Sequence, residues 1–292
     1  MKSLTFTTRQ EEEYELLDSG DGEKLERYGK YVVSRPDPQA IWKKQKPQSD
    51  WLGAHFKFVR AGKNGSWQAK PHAPKTWDVS FGGLKFWIKP ASFKHVGIFP
   101  EQEPNWKWME EKIVAARAHR KVSVLNLFGY TGGASLIAAK AGAEVCHVDG
   151  SKVAVTLAKE NAQLSGLDGK PIRFIVDDAR EFVARESRRG VKYDAVIMDP
   201  PAFGRGPDGQ VWKIEKDLGK FLEDCKKILS AQPLFIVVNS YAAGYSPVSI
   251  GNCLAEITED LGGEIECGEL TIQESGAGRL LPAGVVARWS AL

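Results

Sequence analysis

Several short runs of residues in this chain have types and spacings suited to chemistry, and each closes an apolar stretch. The most specific is Ile197-Met198-Asp199-Pro200-Pro201-Ala202-Phe203. Two consecutive prolines stiffen the chain and offer no N–H donor. Such a turn can hold the Asp199 carboxylate and the Pro200 carbonyl toward a planar substrate, with Phe203 near enough to stack on it. The plain alternative is a proline-ended strand with a buried Phe. A second run, Asn126-Leu127-Phe128-Gly129-Tyr130-Thr131-Gly132-Gly133, puts glycines where backbone approaches a ligand closely or takes unusual φ/ψ. Its G-x-x-G-G spacing differs from the G-x-G-x-x-G of a pyrophosphate-binding dinucleotide turn. Asp149, about twenty residues further on, stands where a carboxylate accepts hydrogen bonds from ribose hydroxyls, which implies a nucleoside ligand. Its alternative role is to cap the next helix, which Ser151 can also do. Asp177-Asp178-Ala179 brings another acidic group, suited equally to an adenine amino group or to a helix cap.

These runs can meet only if a sheet brings their strand ends to one edge. Apolar segments at 122–128, 145–148, 172–176, 193–198 and 234–238 alternate with helical stretches at 134–141, 152–165, 179–188, 214–229 and 247–261. Strands apolar on both faces belong in a parallel sheet covered by helices, and ligands bind at the carboxyl ends of such strands. A β-rich tail is expected at 264–273 and 285–289. Residues 1–95 read differently: short alternating aromatic segments broken by Gly and Pro, with Gly82-Gly83 as a hairpin signal and Asp21-Gly22 and Arg35-Pro36-Asp37-Pro38 as turns. Residues 105–120 turn helical. The expected division is a small β-rich domain over 1–95 and a catalytic α/β domain over 96–292. Residues 204–209 form a loop-like insertion, with Arg205 placed to reach a phosphate.

Composition narrows the class. The 292 residues, 42% hydrophobic and 26% charged, are ordinary for a folded globular protein. No eighteen apolar residues run together and the first residues lack the apolar stretch of a signal peptide, so the expected location is the cytoplasm. Cys146, Cys225, Cys253 and Cys267 form no C-x-x-C pair and read as buried thiols, and no metal site is expected. The net charge of +3 hides an asymmetry: 17 Lys/Arg against 11 Asp/Glu up to residue 95, and 23 against 26 beyond it. Between Lys30 and Lys94, 13 basic residues face three acidic ones and interleave with Trp42, Trp51, Trp67, Trp77 and Trp87. Basic charge mixed with aromatics suits nucleic acid, because cations neutralise phosphates and flat rings stack on bases. The bland alternative is that the tryptophans fill a core and the lysines solvate a surface.

Those strand ends, in that order, resemble the class I S-adenosylmethionine-dependent methyltransferases. More narrowly they resemble bacterial large-subunit ribosomal RNA methyltransferases with an L-N-x-F-x-Y-T-G-G turn and a D-P-P-x-F turn. The likeness runs over about 80–292. Residues 125–133 and 199–203 match residue for residue, and Val148-Asp149-Gly150-Ser151 with 158–161 fits the second motif. Gly97-Ile98-Phe99-Pro100-Glu101-Gln102 is similar to a segment lying against the cofactor, with Glu101 for the family's Asp, and Asn105-Trp106 stands where the family shows Asn-Arg. Residues 29–42 resemble the stretch ahead of the catalytic domain; the separate N-terminal RNA-binding domain of those enzymes is expected to be absent. The resemblance implies a Rossmann-like fold with a mostly parallel seven-stranded sheet. It also implies S-adenosyl-L-methionine as cofactor, held by Phe99, Gln102, Asn126, Phe128, Gly129, Tyr130, Thr131, Gly132, Asp149, Ser151, Asp178, Ala179 and Asp199.

Cytosine C5 methylation needs a cysteine thiolate beside the target ring. In the cytosine-modifying relatives that cysteine follows the fifth strand, which here ends Val238-Asn239-Ser240-Tyr241. Methylation of a base nitrogen needs only orientation, a polar acceptor and in-line approach to the sulfonium methyl. Asp199, the Pro200 carbonyl, Phe203 and Asn239 can supply these for guanine or adenine. The leading expectation is therefore methylation of a base nitrogen in ribosomal RNA. The alternatives are a methyltransferase for a protein or small molecule, a cytosine-C5 RNA methyltransferase, a non-catalytic RNA-binding relative and a nicotinamide-dependent oxidoreductase.

Overall fold

The computed structural model describes residues 1–11, 13–61, 64–90, 94–205, 211–241 and 244–291, with backbone only for Ser3, Ala61, Asn64 and Arg205. The phosphate-reaching role expected of the Arg205 side chain and the 206–209 loop lies outside the described residues.

In chain order the elements are β1 (Lys2–Thr8), β2 (Tyr14–Gly20), β3 (Glu23–Tyr28), β4 (Tyr31–Pro36), α1 (Gln48–Leu52), β5 (Phe56–Ala61), β6 (Asn64–Ala69), β7 (Trp77–Phe81) and β8 (Leu84–Ile88). A 3-10 turn (Pro100–Gln102) leads into α2 (Glu103–Arg117). Strand and helix then alternate as β9 (Ser123–Leu127), α3 (Gly133–Lys140), β10 (Glu144–Asp149), α4 (Lys152–Leu164), β11 (Ile172–Val176), α5 (Ala179–Arg188) and β12 (Ala195–Met198). The hairpin β13 (Phe203–Arg205) and β14 (Val211–Lys213) precedes α6 (Ile214–Lys226), β15 (Phe235–Ser240), α7 (Pro247–Thr258), β16 (Glu264–Gln273) and β17 (Leu280–Ser290).

The chain divides into two compact units. The first comprises Met1–Phe6, Pro104–Leu270 and Gly284–Leu292; the second comprises Thr7–Glu103 and Thr271–Ala283. The division expected after residue 95 differs from this one in placement and in kind. The change falls at 103, and each end of the chain contributes to both units, because strand pairing between distant segments leaves no mark on local composition.

The first unit holds the parallel sheet. β9, β12 and β15 are apolar on both faces and buried almost throughout, which is possible only under helices on both sides. The full order is β1-β16-β17-β15-β12-β9-β10-β11. β11, β10, β9, β12 and β15 run parallel, and β17 pairs antiparallel with β15. The sheet therefore has eight strands rather than the expected seven. The extra one is β1, whose neighbour β16 carries Gly268 so close to Leu4 that a side chain there would collide with the Leu4 backbone. The chain moves outward from β9 through β10 to β11, then crosses back to β12 beside β9. That reversal is the topological switch point where an open α/β sheet binds its ligand. Helix starts are set locally: Ser151 caps α4, Asp178 caps α5, and Ser246 caps α7 with Pro247 in its first turn.

In the second unit β2-β3-β4-β5-β6 form one sheet and β7-β8 a separate hairpin. Gly82 and Gly83 take φ of 58° and 73°, the two left-handed positions of a tight hairpin turn, and Asp21-Gly22 (51° and 75°) repeats it between β2 and β3. Alternate residues of β7 and β8 point inward, burying Trp77, Val79, Phe81, Leu84, Phe86 and Ile88. Trp51 is buried too, and its indole donates to Asp18, while Trp42, Trp67 and Trp87 are half-buried. The core reading thus wins for Trp51 and Trp77, which are unavailable for stacking on bases. Arg35 grips the fully buried Glu26 side-on through Nε and Nη2 (2.6 and 3.0 Å), with the Tyr14 and Tyr28 hydroxyls donating to the same carboxylate. Burial alone would raise the Glu26 carboxyl, but Arg35 and Lys24 outweigh it and hold it at about 2. The tail segment joins this unit through Arg279, which bridges Asp18 and Glu274.

Candidate active site

The site is built at the carboxyl edge of the sheet in the first unit. Leu127 of β9 stands beside Val148 of β10 on one side and Met198 of β12 on the other. The turn after β9 and the turn after β12 are therefore adjacent.

The turn after β9 is unusual in its backbone. Phe128 (φ 55°) and Tyr130 (φ 47°) are non-glycine residues in the left-handed region, and Gly132 (φ 95°) precedes α3. Each such side-chain-bearing residue costs about 1–3 kcal/mol of strain, held by its surroundings. The Gly129 N–H donates to the Val148 carbonyl (3.0 Å), and the Tyr130 N–H donates to Asp149 Oδ2 (2.9 Å). From α4, buried Asn161 donates to the Thr131 carbonyl (2.9 Å), and Ala158 lies where a Gly132 side chain would go. The glycines have packing reasons of their own. A Cβ on Gly129 would sit 2.5 Å from the His147 ring, and one on Gly133 would overlap Trp106. Trp106 thus fills the space that Gly133 vacates.

Beneath this turn lies a buried polar chain. Asn126 Nδ2 donates to Ser135 Oγ (2.9 Å), which lies 3.0 Å from His147 Nδ1. Burial pushes the His147 imidazole down to about 4, so it is neutral at ordinary pH. Asn126, expected to touch the cofactor, is buried and supports the turn from below.

Asp149 ends β10 half-buried. Oδ1 accepts the Ser151 N–H (2.7 Å) and Oδ2 the Tyr130 N–H, while Ser151 Oγ caps α4. One lone pair on each oxygen stays open, which suits a ribose diol. Burial raises the carboxyl above its ordinary value. Asp178 caps α5 through Oδ1, which accepts the Arg180 and Glu181 N–H groups, with Ala179 buried as the first helical residue. A glycine-bearing turn flanked by two carboxylates offers hydrogen-bond acceptors that fit the hydroxyl and amino donors of a nucleoside such as that of S-adenosylmethionine. Phe99 and Gln102 belong to the second unit, at the 3-10 turn, where Thr8 Oγ donates to the Pro100 carbonyl. Their contact with the cofactor rests on the resemblance.

Asp199 follows β12, half-buried, and Pro200 is buried beside it. Phe203 is 54% exposed, so the buried-Phe alternative fails. Asn239 is buried on β15, and its Oδ1 accepts from Asn105 Nδ2 (3.0 Å). Asn105 therefore pairs with the acceptor that sequence reasoning reserved for substrate. The residue that reading missed is Trp212. It is buried, donates its indole N–H to the Pro201 carbonyl (2.7 Å), and packs 5.4 Å from Phe128 and 5.5 Å from Phe221. It ties the proline turn to the glycine turn, and only its aromatic type beside a loop could have signalled it. Cys146, Cys225 and Cys267 are buried and Cys253 half-buried, and burial raises all four thiols, Cys146 to about 11. None of them is poised as a thiolate.

Known proteins resemble this chain in sequence and in fold. Ribosomal RNA large subunit methyltransferase I of Aeromonas salmonicida is 34% identical over 126 residues, which are 43% of this chain and 30% of that protein. Ribosomal RNA large subunit methyltransferase K/L of Shewanella frigidimarina is 32% identical over 160 residues, 54% of this chain and 21% of that protein. The chain thus spans less than a third of the length of these curated relatives. The crystal structure of an S-adenosylmethionine-dependent methyltransferase from Agrobacterium tumefaciens matches with a TM-score of 0.95 at 41% identity, covering 99% of this chain and 94% of that one. The sequence profile of S-adenosylmethionine-dependent methyltransferases matches residues 48–246. Because that match runs through the glycine turn, Asp149 and the Asp199 turn alike, this chain belongs to the S-adenosylmethionine-dependent methyltransferase family.

Proposed function

We propose that this protein methylates a ring or exocyclic nitrogen of guanine or adenine in ribosomal RNA, in the cytoplasm. The observation that carries the reading is the Asp199-Pro200-Pro201-Ala202-Phe203 turn standing beside the glycine turn at the switch point, with Phe203 exposed. When bound, S-adenosylmethionine supplies a methyl group on a sulfonium, whose neutral leaving group carries the driving force. What remains for the protein is positioning. The glycine turn, Asp149 and Asp178 hold the nucleoside end. Phe203 stacks on the target base, and Asp199 with the Pro200 carbonyl accepts hydrogen bonds from its nitrogen, orienting the lone pair. Asn239, paired to Asn105, supports them from β15. The absence of a poised thiolate among the four cysteines speaks against cytosine C5 chemistry.

The RNA reading draws on the two named relatives and on the charge of the second unit. Lys30, Lys43, Lys57, Arg60, Lys70, Lys75 and Lys85 are all exposed there. With Trp51 and Trp77 buried, that surface acts through phosphate neutralisation more than through stacking. No helix among the described residues is long and apolar enough to cross a membrane.

The test is transfer of radiolabelled methyl from S-adenosylmethionine to total RNA and total protein of a strain lacking the gene, with Asp199→Ala as control. Label in RNA that disappears with the variant supports the proposal, and nucleoside digestion names the base. Label confined to protein refutes it.

A further inference from the structure

The hairpin that follows the proline turn presents two different faces. In an antiparallel pair, residues directly opposite share a face and neighbours along a strand alternate. Phe203 lies opposite Lys213, and Gly204 opposite Trp212. Trp212 and Gly204 therefore share the inner face, where Trp212 is buried and a Cβ on Gly204 would lie 3.1 Å from the Pro201 ring. Phe203 and Lys213 share the outer face, together with Val211, which is 44% exposed. The Ile214 N–H donates to the Ala202 carbonyl (3.1 Å), closing the hairpin base onto the turn that carries Asp199. Arg180, one helical step from Asp178, pins β14 from the other side: its guanidinium donates to the Val211 carbonyl (3.0 Å) and lies 5.9 Å from the Trp212 ring.

The arrangement pairs an exposed aromatic ring with a cation across one hairpin rung. Lys213 is half-buried, its backbone N–H is taken by Asp217 (2.7 Å), and its ammonium has no carboxylate within ion-pair distance among the described residues. An exposed apolar ring opposite a cation that no described carboxylate pairs is complementary to a nucleotide: a flat base with a phosphate attached.

We propose that the outer face of the β13–β14 hairpin is the platform for the target nucleotide, with Phe203 stacking on its base and Lys213 pairing with its own or the adjoining phosphate. Trp212 and Arg180 act from behind as positioning residues that hold the platform against the Asp199 turn. This rests on the RNA reading above and assigns one phosphate contact to a residue that no motif in the chain marks.

The probe is a fluorescently labelled fragment pool of large-subunit ribosomal RNA from a strain lacking the gene, titrated at several salt concentrations, beside calorimetric titration of S-adenosylmethionine. For Lys213→Gln the slope of log affinity against log salt should fall in magnitude by about 0.7–0.9, as for one lost phosphate contact. The RNA KM should rise about five- to tenfold, with cofactor affinity unchanged within about twofold. Lys213→Arg should restore both RNA readings. Phe203→Ala should weaken RNA binding at least about fivefold without changing the salt slope, and Phe203→Tyr should restore it. Wild type that binds and methylates RNA while Lys213→Gln keeps its salt slope and KM overturns the platform and leaves the RNA reading standing. Wild type that neither binds nor methylates this RNA overturns both.

Discussion

Replacing Trp212 tests the link between the two turns most directly. The indole makes one hydrogen bond, to the Pro201 carbonyl, and packs against both Phe128 and Phe221. Trp212→Phe keeps a ring there and deletes the donor. Pro201 is exposed, so water can reach the abandoned carbonyl and the lost bond costs about 0.5–1.5 kcal/mol. The smaller ring adds about 1 kcal/mol of lost packing, for a total of about 2 kcal/mol. Trp212→Ala removes the ring as well and should cost about 3–5 kcal/mol. If the indole acts as a positioning group, Trp212→Phe should lower kcat about tenfold while the cofactor Kd changes by no more than about threefold, because the donor serves the proline turn and the ring serves the glycine turn. Urea unfolding gives the stabilities, calorimetry the Kd, and single-turnover methyl transfer the rate. Trp212→Phe turning over like wild type despite its stability loss would refute the reasoning, as would a cofactor Kd that rises about as much as kcat falls.

Three other perturbations follow from the same region. His147 titrates near 6.5 when unfolded and near 4 when folded, so the unfolded chain binds more protons between those values and stability falls as pH drops through that window, by about 3 kcal/mol. Unfolding at pH 7.5 and pH 4.5 should show a flatter dependence for His147→Asn than for wild type; equal slopes would remove His147 from the account. Gly129→Ala drives a methyl into the His147 ring 2.5 Å away and should destabilise by about 1–3 kcal/mol, read by urea unfolding, with a neutral result contradicting the close approach. Asp149→Ala removes the proposed ribose acceptor and the tether of the Tyr130 N–H, and should weaken S-adenosylmethionine about ten- to a hundredfold by calorimetry. Unchanged affinity would mean that Asp149 serves the turn alone.

Much of the catalytic unit was legible along the chain. The period and apolarity of 172–176 and 179–188 match β11 and α5 residue for residue, and Gly82-Gly83 forms the hairpin its type demands. That the Gly129 and Asp199 turns share the carboxyl edge of one sheet was legible as well, whereas their adjacency was set by the strand order, which places β12 beside β9. The roles of several site residues were not legible. The sequence does not tell that Asn126 is buried against Ser135 or that Asn239 accepts from Asn105, while for Asp178 the helix cap, one of its two readings, is the contact that forms. A side chain's partners are chosen by three-dimensional neighbours that residue type alone does not name.

The sequence by itself determined the element types, the strand-end motifs and the family, because periodicity, turn chemistry and capping act over a few residues and are written where they act. Tertiary structure alone decided that Lys2–Thr8 joins the edge of the catalytic sheet, that Thr271–Ala283 returns to the other unit, and that Trp51 and Trp77 face a core. It alone brought Trp212 under the proline turn and set Lys213 across from Phe203. The physical reason is range. Pairing across more than 250 residues, as between Thr7 and Thr271, follows from which apolar faces the whole chain can bury at once, a property of no single segment.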